Sequence, residues 1–174
     1  MWCGTATSCI SASTCDKMAD LLHFEDFRAG QIFALGTHTI TAEEIIDFAR
    51  EFDPQPQHLN PEAARESMLG GLAASGWHLC ALAMRMLVDG LFNRSTSLGA
   101  PGVEEVQWRR PVKAGDVLRC DGEVLEIRGS SRPERGFVRF RFSMWRAKDS
   151  GEDERVMMFS CSVMFGRRAS TGSA

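Results

Sequence analysis

Residues 72–92 read LAASGWHLCALAMRMLVDGLF. At about 100° per residue, the apolar side chains of this stretch fall almost all round a helix, and its small residues permit close approach. A helix of that kind belongs in the middle of a fold. Its strongly apolar part, around Leu79 to Leu91, carries Arg85 and Asp89 and falls short of the roughly 20 apolar residues a membrane span requires. We therefore expect a soluble protein with no membrane partner.

Downstream the period changes. VEEVQWRRPV (103–112), VLRCDGEVLEIRG (117–129), GFVRFRFSMWRAK (136–148) and RVMMFSCSVMF (155–165) read as strands, divided by Gly115-Asp116, Ser131-Arg132-Pro133 and Asp149-Ser150-Gly151. Val138, Phe140, Phe142 and Met144 alternate with Arg139, Arg141 and Ser143, which gives one covered face and one polar face. Upstream, QIFALGTHTI (31–40) reads as a first strand that runs straight into a helix start. Thr41 and Glu44 form a capping box there, Ile40 and Ile45 stand where a hydrophobic staple flanks it, and Ile45, Ile46, Phe48 and Ala49 supply an apolar face. The expected fold class is α+β, an antiparallel sheet wrapped around a central hydrophobic helix.

The composition limits what such a domain does. The chain has 174 residues, 44% hydrophobic and 25% charged, which is one globular domain with a substantial core. A net charge of -3, with both signs interspersed, makes no electrostatic case for nucleic acid and leaves small molecules or proteins as partners. Of the six cysteines, Cys3, Cys9 and Cys15 lie in a low-complexity start, and Cys80, Cys120 and Cys161 stand singly in apolar segments. That pattern fits reduced thiols in a cytoplasm, and without a nearby histidine or fourth cysteine the first three make no metal site. We expect flexible tails over residues 1–21 and 168–174, with the folded unit over 22–167 and Met18 as a possible true start. The first tail lacks the basic start and apolar run of a secretory signal.

Between the two helices lies FDPQPQHLNP (52–61). The first helix should end near Phe52, because Asp53 precedes a proline and is pushed toward extended geometry. Asn60 and Pro61 read as the cap and first residue of a short helix. Taken alone, Asp53 before proline and His58 five positions on read as a turn and a surface histidine.

The order of these elements changes that reading, since it resembles the hotdog fold of the MaoC-like dehydratases and (R)-specific enoyl-CoA hydratases. DPQPQH, from Asp53 to His58, resembles that family's D-x-N-P-x-H loop; GGLAASG (70–76) resembles its glycine-rich entry into the central helix; RRPVKAGD (109–116) resembles its strand that ends in a proline and a Gly-Asp turn. The four strands after the helix, read as a meander, are part of that order, and the resemblance implies a single hotdog domain. It also implies a homodimer or dimer of dimers, and reversible hydration of a trans-2-enoyl thioester of coenzyme A or an acyl carrier protein, with no metal or redox cofactor. On that reading His58 activates a water, Asp53 orients it and delivers the α-proton, and the Gly76 backbone N–H is the oxyanion donor at a helix start. Gln55, Ser75 and Trp77 are expected to contact substrate. Arg109 and Arg110, with Lys113, are candidates for coenzyme A phosphates, with solvated strand-end charges as the alternative reading. Three positions depart from the family pattern: Gln55 stands for an Asn, Asn60 for an Asp, and Ser75 for a common His.

Other residues take plainer roles. His78 is expected to be a satisfied core or pocket-wall residue, His38 likewise, and His23 a surface residue. Met84, Met86, Met157, Met158 and Met164 read as core filling. Ser131, Arg132 and Arg135 share the ambiguity of the arginine pair. Two rival functions stand beside the hydratase: a hotdog thioesterase, which would release free thiol, and a non-catalytic acyl-binding subunit, which the altered residues around the loop would allow.

Overall fold

The computed structural model describes residues 21–148 and 151–169. Most of the expected N-terminal tail, with Met18 and its three cysteines, lies outside them, as does the end of the C-terminal tail. Arg168, at the start of that second tail, donates to both Asp26 carboxylate oxygens at 2.9 and 2.7 Å.

Strand β1 (Ile32–Thr39) leads into α1 (Ala42–Phe52) through the expected capping box. Glu44 N–H donates to Thr41 Oγ1 at 3.1 Å, and Thr41 N–H donates to Glu44 Oε2 at 2.8 Å. Two short helices follow, α2 (Pro56–Leu59) and α3 (Pro61–Glu66), and then the central helix α4 (Gly76–Gly90). The rest is strand: β2 (Ser97–Gly99), β3 (Val103–Trp108), β4 (Val117–Gly129), β5 (Arg135–Arg146) and β6 (Glu154–Gly166). The fold is the expected α+β hotdog. The sequence reading placed β1 and β3–β6 but did not contain α2 or β2, each of four residues or fewer.

The pairings between these strands are all antiparallel, in the order β1-β4-β5-β6-β2 with β3 also on β6. The expected four-strand meander is therefore corrected to three. β4, β5 and β6 meander, while β3 pairs with the last of them across the sheet from β4. The connection over residues 109–116 makes that crossing because its backbone is taken up by the far side. Ala74 N–H donates to the Val112 carbonyl at 2.8 Å, and Gly115 N–H to the Ile40 carbonyl at 2.8 Å. Residues 109–112 are thus drawn past the start of α4.

Val138, Phe140, Phe142 and Met144 are fully buried on the inner face of β5, against the side of α4 that carries Leu79, Ala83, Met86 and Leu87. Each such side chain contributes about 1.5–3 kcal/mol by leaving water. The outer face carries ion pairs instead, Arg139 with Glu104 and Arg141 with Glu123. At the far end of α4 a Cβ on Gly90 would meet Leu35 Cα at 2.8 Å, so glycine is what lets the helix lie against β1. The other side of α4 is open, which corrects the expectation of a fully enclosed helix. Trp77 is 61% exposed and Met84 48%, because six strands cover only one side of it. Met86, Met157 and Met158 fill the core, whereas Met84 does not and Met164 is half-buried.

Candidate active site

Proline chemistry sets the two acid–base side chains. α1 stops at Phe52, with Asp53 as its C-cap at φ -149° and its N–H on the Ala49 carbonyl at 3.0 Å. Pro56 then opens the single turn of α2, a position where its missing N–H costs nothing, and that turn swings His58 inward until it is only 7% exposed. The bare reading of His58 as a surface histidine is thereby overturned. Asn60 caps α3 as expected, accepting from Glu62 N–H at 2.8 Å and Ala63 N–H at 3.2 Å.

The His58 ring is oriented by the backbone. Its Nδ1 lies 2.7 Å from the Ala73 carbonyl, which only accepts, so Nδ1 carries the hydrogen. Nε2 then faces Asp53 Oδ2 at 3.6 Å. The Asp53 carboxylate is held by two other donors: Ser75 Oγ–H reaches Oδ2 at 2.6 Å and Gln55 Nε2 reaches Oδ1 at 2.6 Å. The hydroxyl of Ser75, and after it the amide of Gln55, keep the Asp53 carboxyl below the usual carboxylate range, so it is ionised at neutral pH. Gln57 donates to Gln55 Oε1 at 2.9 Å and fixes which way that amide points. Two of the three departures from the family pattern thus supply direct hydrogen bonds to Asp53.

Ser75 also caps α4, accepting from Trp77 N–H at 3.2 Å. Gly76 is the first helical residue, and an N–H at that position has no acceptor within its own helix. These groups open onto a cavity of about 400 Å³. It is lined by Asp53, Gln55, His58, Ser75, Gly76, Trp77, Arg109 and Arg110, so the predicted acid–base, oxyanion and substrate-contact residues and the arginine pair come together there while Lys113 does not, with Leu69, Leu79, Val112 and Trp108 as additional wall. Trp108 was not among the predicted residues. Its signal is tertiary: it ends an edge strand, yet its ring lies on Gly76 and meets Trp77 edge-on with centroids 5.4 Å apart.

The basic residues are less free than their sequence positions implied. Arg110 donates to Glu154 at 3.0 Å, Arg109 to Gln107 at 2.5 Å, and Lys113 to the Gly70 carbonyl at 2.8 Å. Ser131, Arg132 and Arg135 sit at the β4–β5 turn and do not line the cavity. His78 is buried and stacked on Phe48, centroids 4.6 Å apart, but its Nδ1 has no partner, so the expected satisfied histidine is corrected to an unsatisfied one. Burial holds its imidazole below the usual histidine range. His38 bonds Glu44, and His23, expected on the surface, is half-buried with Nδ1 on the Leu21 carbonyl at 2.8 Å.

Residues 29–140 match the family model of the MaoC like domain. This chain belongs to the MaoC-like family. The MaoC-like protein is 39% identical to a MaoC-like dehydratase from Rhodospirillum rubrum, whose crystal structure it matches with a TM-score of 0.77 over 85% of this chain and 99% of that one. It is 26% identical over 128 residues to YdeM, an uncharacterised protein of Bacillus subtilis, covering 74% of this chain and 90% of that protein. It shares its fold with an (R)-hydratase from Pseudomonas aeruginosa, at 23% identity and a TM-score of 0.66, over 85% of this chain and 88% of that one. No described helix is long and apolar enough to cross a membrane.

Proposed function

We propose that this MaoC-like protein is an acyl-thioester hydratase or dehydratase, acting reversibly on trans-2-enoyl and (R)-3-hydroxyacyl thioesters of coenzyme A or an acyl carrier protein. The observation that carries the reading is the Asp53–His58 pair. Two proton acceptors lie 3.6 Å apart at the wall of one cavity, each oriented by a separate partner, so a single water on the cavity side can donate to both.

Water donates one hydrogen toward Asp53 and the other toward His58 Nε2, which aims its oxygen lone pair at the β-carbon. As the C–O bond forms, His58 takes one proton and the π pair moves onto the thioester oxygen, where the Gly76 N–H receives the developing charge. Asp53, ionised at rest, is recharged from the imidazolium and returns one proton to the α-carbon, so that one water adds overall. The proposed reaction requires no metal or redox cofactor. Arg109 supplies a cation at the cavity wall for a carrier phosphate, while Arg110 is partly neutralised by Glu154.

A homodimer fits the same surface. β3 is bonded on one side only, Val103 on it is 55% exposed, and Trp77, Ala81 and Met84 form an exposed stripe on α4 beside it. Light scattering during gel filtration would give twice the monomer mass. Loss of enoyl-thioester absorbance on adding purified protein to short and medium trans-2-enoyl-CoA tests the activity. Release of free thiol instead would establish a thioesterase, and binding without turnover a non-catalytic subunit.

A further inference from the structure

A chain of hydrogen bonds runs from the end of β3 to the Asp53 carboxylate. Trp108 Nε1–H donates to the Gly76 carbonyl at 2.9 Å. The same peptide unit presents the Trp77 N–H, which donates to Ser75 Oγ at 3.2 Å. The Ser75 hydroxyl in turn donates to Asp53 Oδ2 at 2.6 Å. Each intermediate group accepts on one side and donates on the other, the arrangement in which hydrogen bonds polarise one another. Trp108 is 46% exposed, and its other face is seated closely on the helix start. A Cβ on Gly76 would meet its Cε2 at 2.6 Å, so only glycine leaves the ring its seat over the helix start.

We propose that Trp108 is a positioning residue for Asp53, acting through the Gly76–Trp77 peptide and the Ser75 hydroxyl. The proposal rests on the reading of Asp53 as half of the reacting pair. Without the indole N–H, the peptide is less polarised, its N–H is a weaker donor to Ser75, and the serine hydroxyl is a weaker donor to the carboxylate. The other groups facing Asp53 are the Gln55 amide and His58, and Arg109 and Arg110 line the same cavity. Cys80, four residues after Gly76 on α4, has its thiol within reach of the same indole.

The Asp53 carboxyl is titrated by carbon-13 NMR in the full chain, with its resonance assigned by Asp53→Asn. Trp108→Phe keeps a ring over Gly76 and removes the donor. It is expected to raise the Asp53 midpoint by about 0.1 pH unit, since each bond in the chain passes on only about 10–30% of the change. It should also lower kcat about threefold, with KM within about twofold of wild type. In a Ser75→Ala background, where the chain of bonds is already cut, Trp108→Phe should move the midpoint no further. An unchanged midpoint in Trp108→Phe, or an equal shift with and without Ser75, overturns the proposal. The titration reads Asp53 without substrate, so a chain that turned over no enoyl thioester would defeat the hydratase reading and leave this test standing.

Discussion

A histidine–carboxylate pair flanks helix α1 at each end, and the two pairs are held differently. At its start, His38 Nε2 lies 3.1 Å from Glu44 Oε1; just past its end, His58 Nε2 lies 3.6 Å from Asp53 Oδ2. The closer pair is committed elsewhere. Glu44 closes the capping box on Thr41 N–H, His38 and Glu44 are both about a third exposed, and neither lines the main cavity. In the wider pair, the carboxylate is held by Ser75 and Gln55 and the imidazole by the Ala73 carbonyl, so neither depends on the other for its orientation. Nearness of acid and base is therefore set by different things in the two pairs. What distinguishes the second pair is that it lines the cavity, with both partners fixed from outside.

The sharpest way to break that contrast is to exchange roles. Asp53→Asn and His58→Ala are each expected to lower enoyl-CoA turnover by about 10²–10⁴-fold, whereas Glu44→Gln and His38→Ala should leave it within about twofold. Comparable losses at both ends of α1, in steady-state rates of folded variants, would show that the contrast is wrong. Next in size, Gly76→Ala drives a methyl into the Trp108 ring. A loss of about 1–3 kcal/mol in a urea melt, with turnover reduced more than tenfold, is expected from that overpacking at the amide donor.

Ser75→Ala removes one of the two donors to Asp53, and turnover should fall about tenfold while Gln55 keeps the other oxygen. The smallest effect sits at the quiet end. Thr41→Ala should cost about 1 kcal/mol of stability and leave kcat unchanged, since it removes only the cap.

The charge on Glu44 sharpens the same point through pH. Partial burial pushes its carboxyl up, but the Thr41 N–H and then His38 outweigh that and hold it below the ordinary glutamate value. A group depressed on folding contributes stability that is present above its unfolded pKa, near 4.5, and lost as pH falls through the folded value. The difference in Tm between wild type and Glu44→Gln should thus be visible at pH 7 and shrink as pH falls below about 4.5. A difference that persisted in acid would assign the effect to shape rather than charge.

Much of this contrast was readable from local pattern. The capping box, the end of α1 before Asp53-Pro54, the Asn60 cap and the central helix are all decided by residues within a few positions of one another, and all appear where the pattern placed them. The crossing of residues 109–116 was not readable, because it is decided by backbone groups of Ala74 and Ile40 far away in the chain. For the same reason the sequence brought Arg109 and Arg110 to the site without disclosing that Arg110 would be paired with Glu154. Trp108 carried no local mark at all. Its role depends on lying over a glycine 32 residues away.

The sequence by itself determined the longer elements of this MaoC-like protein, since turn stereochemistry, capping and hydrophobic period act over one or two turns of chain, whereas the Asp53–His58 pair stood out only through the family resemblance of its loop. Only the tertiary structure decided how that pair is held. The Ala73 carbonyl that sets the His58 tautomer, the Ser75 hydroxyl on Asp53 and the indole behind it reach the site through sheet and helix packing, and hydrogen-bond geometry across such distances exists only once the core has closed.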